Sequence, residues 1–156
     1  MNTVKASTKQ LNILVEIMHG LGDTVCSISL LKGVRYLYPN AKITVLCKTP
    51  PGRDIIEASC LSIDKIVVLN VYKNLYSTYK TILELRREKF DIGISTAITP
   101  VNKSRLFMKL CGVKQHIGFQ ASGTNKFDYD IHFVEANVRT LGLEFSDKFR
   151  PQLYVD

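Results

Sequence analysis

Short apolar runs alternate along the chain with longer segments whose apolar residues recur three and four apart. Residues 11–18, rich in Ile and Val, read as a first strand buried on both faces. From Asp23 to Tyr38, the positions Val25, Ile28, Leu31, Val34, Leu37 and Tyr38 keep helical spacing, and Pro39-Asn40 stops the helix. Residues 41–47 predict a second strand. Pro50-Pro51-Gly52 reads as a turn, followed by a short helix over 53–60 and a third strand over 63–69. Residues 71–77, with their Tyr and Asn, read as a loop. A helix over 78–89 sets Ile82, Leu83 and Leu85 on one side and Lys80, Glu84, Arg87 and Glu88 in solvent. Residues 90–96 predict a fourth strand. Pro100 opens a helix carrying Leu106, Phe107 and Leu110, which Gly112 closes. A short fifth strand over 113–119 leads into a polar loop, and a helix over 132–141 ends at Gly142.

This alternation predicts an α/β fold: a Rossmann-like, three-layer α/β/α domain with a parallel sheet. Ligands in such folds sit beyond the carboxyl ends of the strands. The loops expected there are 18–24, 48–52, 70–77, 97–103 and 119–129. At 156 residues the chain suffices for one domain with a true core. Residues 1–10 read as a flexible N-terminus, 11–150 as the domain, and 151–156 as a C-terminal tail.

Composition adds the partner class. The hydrophobic fraction of 46% is that of a globular protein, and the formal charge of +7 favours anionic partners: phosphates, nucleic acid or a membrane surface. Cys26, Cys47, Cys60 and Cys111 form no CxxC pair and lie in or beside apolar segments, so they read as buried reduced thiols. The apolar run at 11–18 is too short to span a bilayer and lacks a signal-peptide cleavage site. The expected compartment is the cytoplasm.

The candidate chemistry begins at Gly20-Leu21-Gly22-Asp23. Two glycines permit a sharp turn and the close approach of a ligand. Asp23 then falls in the first helical turn, where backbone N–H groups lack partners. That position suits a helix-stabilising acid as well as a functional carboxylate. A dinucleotide site is disfavoured: Val25 stands where a third glycine belongs, and Cys47-Lys48-Thr49 holds no acid for a ribose. GxxxxGK[ST] is absent. Asp128-Tyr129-Asp130 matches a metal-binding DxD, but such a short match is common by chance, and His19, His116 and His132 have no metal-ligand spacing. No metal and no cofactor is expected. Between Asp91 and Asp128 there is no acidic residue, while Lys103, Arg105, Lys109, Lys114 and Lys126 fall there. That stretch suits either a solvated helix face or a site for an acidic substrate.

The ordered set formed by Ile13 through Asp23, Tyr38 through Leu46, Ile63 through Leu69, Phe90-Asp91-Ile92-Gly93-Ile94 and His116-Ile117-Gly118-Phe119 resembles the N-terminal half of glycosyltransferase family 9, the lipopolysaccharide heptosyltransferase-like enzymes. The resemblance implies the acceptor-side domain of a GT-B enzyme, with the start of an interdomain linker at 151–156. It implies metal-independent, inverting transfer from a nucleotide-sugar such as ADP-heptose, held by a C-terminal domain that this chain lacks. The acceptor would be a lipopolysaccharide core or another glycan, with peripheral contact at the inner membrane surface. Asp23 matches the family's catalytic base. Lys103, Ser104 and Arg105 would bind acceptor phosphate or carboxylate groups, with His19, Gly20, Gly22 and Gln120 completing the substrate-binding set. Many relatives carry a basic residue near the end of the first strand, where this chain has Glu16-Ile17 followed by His19.

The competing reading is a non-catalytic Rossmann-like module that binds an anionic glycolipid or a partner protein. Nucleic acid is not expected, because aromatic residues do not interleave with the basic ones as a stacking platform requires. An isolated half of a two-domain enzyme would expose the face that meets its partner, so self-association is expected.

Overall fold

Ile13, Leu14, Val15 and Ile17 are all fully buried, which places the first strand in the middle of the sheet with both faces covered. The computed structural model describes residues 9–70, 73–118 and 131–154. Residues 1–8, Gln120 and the Asp128-Tyr129-Asp130 motif lie outside them. The described strands are β1 (Asn12–Ile17), β2 (Lys42–Cys47), β3 (Lys65–Val68), β4 (Ile92–Ser95) and β5 (Gln115–Ile117). They form one parallel sheet in the order β3-β2-β1-β4-β5. Val15 stands opposite Val45 on one side and Ile94 on the other. The helices are α1 (Leu21–Leu37), α2 (Pro50–Ala58), α3 (Leu75–Arg87), α4 (Val101–Leu110) and α5 (Phe133–Thr140).

Side-chain alternation along β1 divides the core into two layers. Ile13, Val15 and Ile17 pack with Ile28, Leu31 and Val34 of α1 and Ile56 of α2. Leu14 packs with Leu85 of α3 and Met108 of α4 on the opposite face. α5 lies on α1, where the Ser29 hydroxyl donates to the Val134 carbonyl (3.1 Å) and the Asn137 amide to the Cys26 carbonyl (3.4 Å). The chain thus forms the expected three-layer α/β/α domain. Beyond α5 a short 3-10 turn, Asp147–Phe149, seats Phe149 edge-on against Tyr36. Residues 150–154 remain tied to the domain: Lys32 Nζ donates to the Arg150 carbonyl (2.7 Å) and Tyr154 N to the Ala58 carbonyl (2.8 Å).

Several local expectations are corrected. Pro50-Pro51-Gly52 is the first turn of α2 rather than a turn before it: Thr49 caps the helix by accepting from Gly52 N, and proline costs nothing where no helical N–H bond is lost. α3 begins at Leu75, inside the expected loop, because Asn74 Oδ1 accepts from Tyr76 N (2.9 Å) and Ser77 N (3.2 Å). Leu83 faces solvent rather than the core, while Leu85 is buried. Cys60 is exposed rather than buried, in a left-handed backbone conformation just past α2. Gly112 and Gly142 close their helices at φ of 72° and 74°, a conformation that glycine adopts without penalty.

The fit of α4 on β4 depends on a missing side chain. A methyl group at Gly93 would stand 2.7 Å from Met108 Sδ and 2.8 Å from Val113 Cγ1. Methionine can swing aside, but β-branched Val113 has little freedom. Gly93→Ala is expected to destabilise the domain by about 1–3 kcal/mol through overpacking. A thermal melt measures this, and an unchanged Tm would contradict the packing.

Candidate functional site at the switch point of the sheet

β1 pairs with β2 on one side and β4 on the other, and the chain leaves β1 and β4 toward opposite faces. The loops after these two strands therefore diverge at the carboxyl ends of the sheet, where doubly wound folds usually place a ligand crevice. His19 comes from the first loop, and Thr96 and Thr99 come from the second. His19 Nε2 lies 2.9 Å from Thr99 Oγ1, and Thr99 Oγ1 lies 2.8 Å from Thr96 Oγ1. This chain of polar groups bridges the crevice.

Asp23 sits in the first turn of α1, half-buried. The helix begins at Gly20 without a side-chain cap; Thr24 N and Thr24 Oγ1 both bond to the Gly20 carbonyl at 2.9 Å. Asp23 Oδ2 folds back over the turn, 3.9 Å from where a Gly20 side chain would begin. Among the described residues nothing stands within 4 Å of a Cβ at Gly22, so among them the outer side of the turn is open. His19 is pushed below its ordinary pKa mainly by burial; Asp23 pulls it up and Lys48 pushes it down. The end of β1, the first turn of α1 and the end of β2 thus converge in one electrostatic neighbourhood. A carboxylate there can accept a proton from a hydroxyl brought into the crevice.

A second polar cluster lies between the sheet and α4, and the sequence reading missed it. Glu16, at the end of β1, is only 7% exposed. Its Oε2 accepts from Ser104 Oγ of α4 (2.7 Å) and Ser95 Oγ of β4 (3.0 Å). The two serine oxygens also touch one another, and His116 Nε2 of β5 lies 2.9 Å from Ser95 Oγ and 3.3 Å from Ser104 Oγ. With Glu16 ionised, each serine spends its single proton on the carboxylate, so His116 must donate from Nε2. Burial pushes the Glu16 carboxyl above its ordinary range, and the two serine hydrogen bonds offset this in part. Burial pushes His116 down, as does the nearby Arg105. The available signal was Glu16 itself, a carboxylate inside a strand read as covered on both faces, which demands buried partners.

The expected site residues separate accordingly. His19, Gly20, Gly22 and Asp23 share the β1–α1 turn at the crevice. Lys103 and Arg105 are exposed on α4, but Ser104 between them is 2% exposed and turned inward onto Glu16. Successive residues of a helix point about 100° apart, so the three cannot share one direction. Among the described residues no group of three or more His, Cys, Asp or Glu side chains could hold a metal ion, and no helix is long and apolar enough to cross a membrane. A surface depression of about 500 Å³, lined by Gln10, Leu11, Tyr38 and Pro39, lies at the amino-terminal ends of β1 and β2, away from this site.

The two histidines give the site a pH signature. Both are held below 6.5, so below that value the unfolded chain binds protons more readily than the folded one. Their contribution is present above pH 6.5 and is lost as pH falls through that value toward the folded-state pKa. A His19→Gln/His116→Gln variant is expected to lose less stability than the parent on acidification through this window. Urea midpoints measure it, and an equal loss in both proteins would contradict the assignment.

No protein-family model and no curated protein matches this sequence. Solved structures do. A glycosyl transferase of family 9 from Veillonella parvula DSM 2008 aligns with 94% of this chain and 45% of its own, at 15% identity and a TM-score of 0.67. The E. coli heptosyltransferase WaaC, solved with ADP, aligns with 85% of this chain and 46% of its own, at 14% identity and a TM-score of 0.63. The chain therefore has the fold of about half of a heptosyltransferase-like family 9 glycosyltransferase, as the sequence resemblance led one to expect.

Proposed function

We propose that this domain is the acceptor side of an inverting, metal-independent glycosyltransferase of the heptosyltransferase type. The observation that carries the reading is the position of Asp23, a carboxylate at the switch point of a fold shared with family 9 glycosyltransferases. In the proposed reaction an acceptor hydroxyl enters the crevice beside Asp23. Its oxygen attacks the anomeric carbon of a nucleotide-sugar such as ADP-heptose. The new C–O bond forms as the bond to the diphosphate breaks; the electron pair leaves with the nucleotide, and Asp23 takes the hydroxyl proton. Attack opposite the leaving group inverts the anomeric centre.

Roles follow from placement. The open face at Gly22 lets the acceptor approach the backbone, and His19, tied to Thr99, forms one wall. Lys103 and Arg105 supply charge for acceptor phosphates or carboxylates, and Gln120 belongs to the proposed substrate set. Ser104 acts through Glu16, by fixing the first turns of α4. A second domain presents the nucleotide-sugar, and the acceptor is a lipopolysaccharide-core or similar glycan at the cytoplasmic side of a membrane. The purified chain, given ADP-heptose and acceptor, is expected to release no nucleotide. Sustained turnover by this chain alone would overturn the division of labour between two domains.

A further inference from the structure

The outer faces of α3 and α4 expose apolar side chains that the core does not use. Leu75, Tyr76 and Tyr79 of α3 are 83%, 75% and 61% exposed, and Leu83 continues the line at the spacing of one helix face. On α4, Leu106 and Leu110 are exposed four residues apart. The two helices cover the same side of the sheet. They are joined at their C-terminal ends, where Arg86 Nη1 donates to the Leu110 carbonyl (3.2 Å). Other large exposed apolar side chains, such as Leu21 and Leu153, are not grouped along one helix face, and Tyr36 lies beneath Lys148 Nζ, 3.8 Å from the ring centre.

Charge sets the kind of partner. α3 carries Lys80, Arg86 and Arg87 against Glu84, and α4 carries Lys103, Arg105 and Lys109 against no carboxylate. Glu88, just past α3, is engaged by Lys42 and Lys65 on β2 and β3. An exposed patch of leucine and tyrosine, with Glu84 outnumbered by the surrounding cations, matches an interface that is apolar below and anionic above. Tyrosine rings suit the headgroup level, and Lys and Arg reach the phosphates.

We infer that the α3–α4 face docks this domain on a bilayer surface rich in anionic phospholipid. The inference deepens the proposed reading, since it would hold the domain where a lipid-linked acceptor resides, and it rests on that reading for its purpose alone. Leu75, Tyr76 and Tyr79 enter the headgroup layer, while Lys80, Arg87 and Lys109 lie over lipid phosphates.

Cosedimentation of the purified chain with vesicles tests this. Vesicles of phosphatidylcholine with phosphatidylglycerol are expected to bind at least about tenfold more tightly than phosphatidylcholine alone, and binding is expected to weaken with added salt. Leu75→Ser/Tyr79→Ser and, separately, Lys80→Glu/Lys109→Glu are expected to lose most of that binding. All four positions are exposed, so thermal melts should match the parent. Equal binding to both vesicle types, no binding to either, or unchanged binding by both variants would overturn the proposal. So would concentration-dependent dimerisation, read by light scattering, that Leu75→Ser/Tyr79→Ser abolishes. Vesicle binding does not depend on catalysis. Its failure with acceptor binding intact would remove the docking surface alone, and the converse would remove the glycosyl-transfer reading.

Discussion

Asp23→Asn, in a transfer-competent enzyme containing this domain, is expected to lower kcat by about 10²- to 10⁴-fold, the range for removing a general base. Asparagine keeps the size and shape of aspartate and can still lie over the turn at Gly20, but it cannot take up a proton at neutral pH. If other groups bind the acceptor, as proposed, its KM should change little, and the loss should appear in kcat and kcat/KM alike. Losing an acid from the first turn of α1 costs the helix only about 0.3–1 kcal/mol, so the variant should remain folded at the assay temperature. Steady-state kinetics with a parallel melt separates the two effects. Full activity in a folded Asp23→Asn enzyme would remove this residue from the chemistry.

Glu16→Leu has the largest expected effect on stability. Leucine fills much of the volume but leaves Ser95 and Ser104, the two hydroxyls that also hold His116, without their shared acceptor, inside a site that water scarcely reaches. Buried donors left without partners cost about 1–3 kcal/mol each, and the serines can recover part by bonding to one another, so a net loss of about 2–4 kcal/mol is expected. For a domain of this size that is a fall in Tm of roughly 5–15 °C.

Glu16→Gln keeps an acceptor oxygen in place and should cost far less. It also tests the electrostatics. The folded-state pKa of Glu16 is raised, so the wild-type protein loses stability as pH climbs from the ordinary value of 4.5 through the folded value. Glutamine has no such slope, and the stability of Glu16→Gln relative to wild type should therefore increase across that window. A constant difference would mean that the carboxyl is not held above its ordinary range.

The sheet was legible because each strand announces itself locally. Ile13-Leu14-Val15 and Ile43-Thr44-Val45-Leu46 are short runs of β-branched and aliphatic residues, and prolines and glycines separate them from the helices. Helix starts were harder to read. Asn74 looks like a loop residue, yet its side chain takes two backbone N–H groups and begins α3, and Pro50 looks like a turn although proline is at home in a first helical turn. The turn at Gly20–Asp23 could be found because its parts adjoin in sequence. The Glu16 cluster could not, because its members stand at positions 16, 95, 104 and 116, and only the pairing of β1 with β4, of β4 with β5 and the seating of α4 bring them together. The same seating explains why Ser104, between two exposed cations, points into the protein.

The central claim is that the crevice between β1 and β4 receives an acceptor and that the nucleotide-sugar belongs elsewhere. The most direct measurement is amide NMR of the isotopically labelled chain, titrated with a phosphorylated core oligosaccharide and, separately, with ADP-heptose. Saturable shifts are expected at His19, Gly20, Gly22 and Asp23 and at Lys103 and Arg105 with the oligosaccharide, and no saturable response to ADP-heptose. Shifts that leave the Gly20–Asp23 turn untouched, or saturable binding of ADP-heptose at that turn, would contradict it.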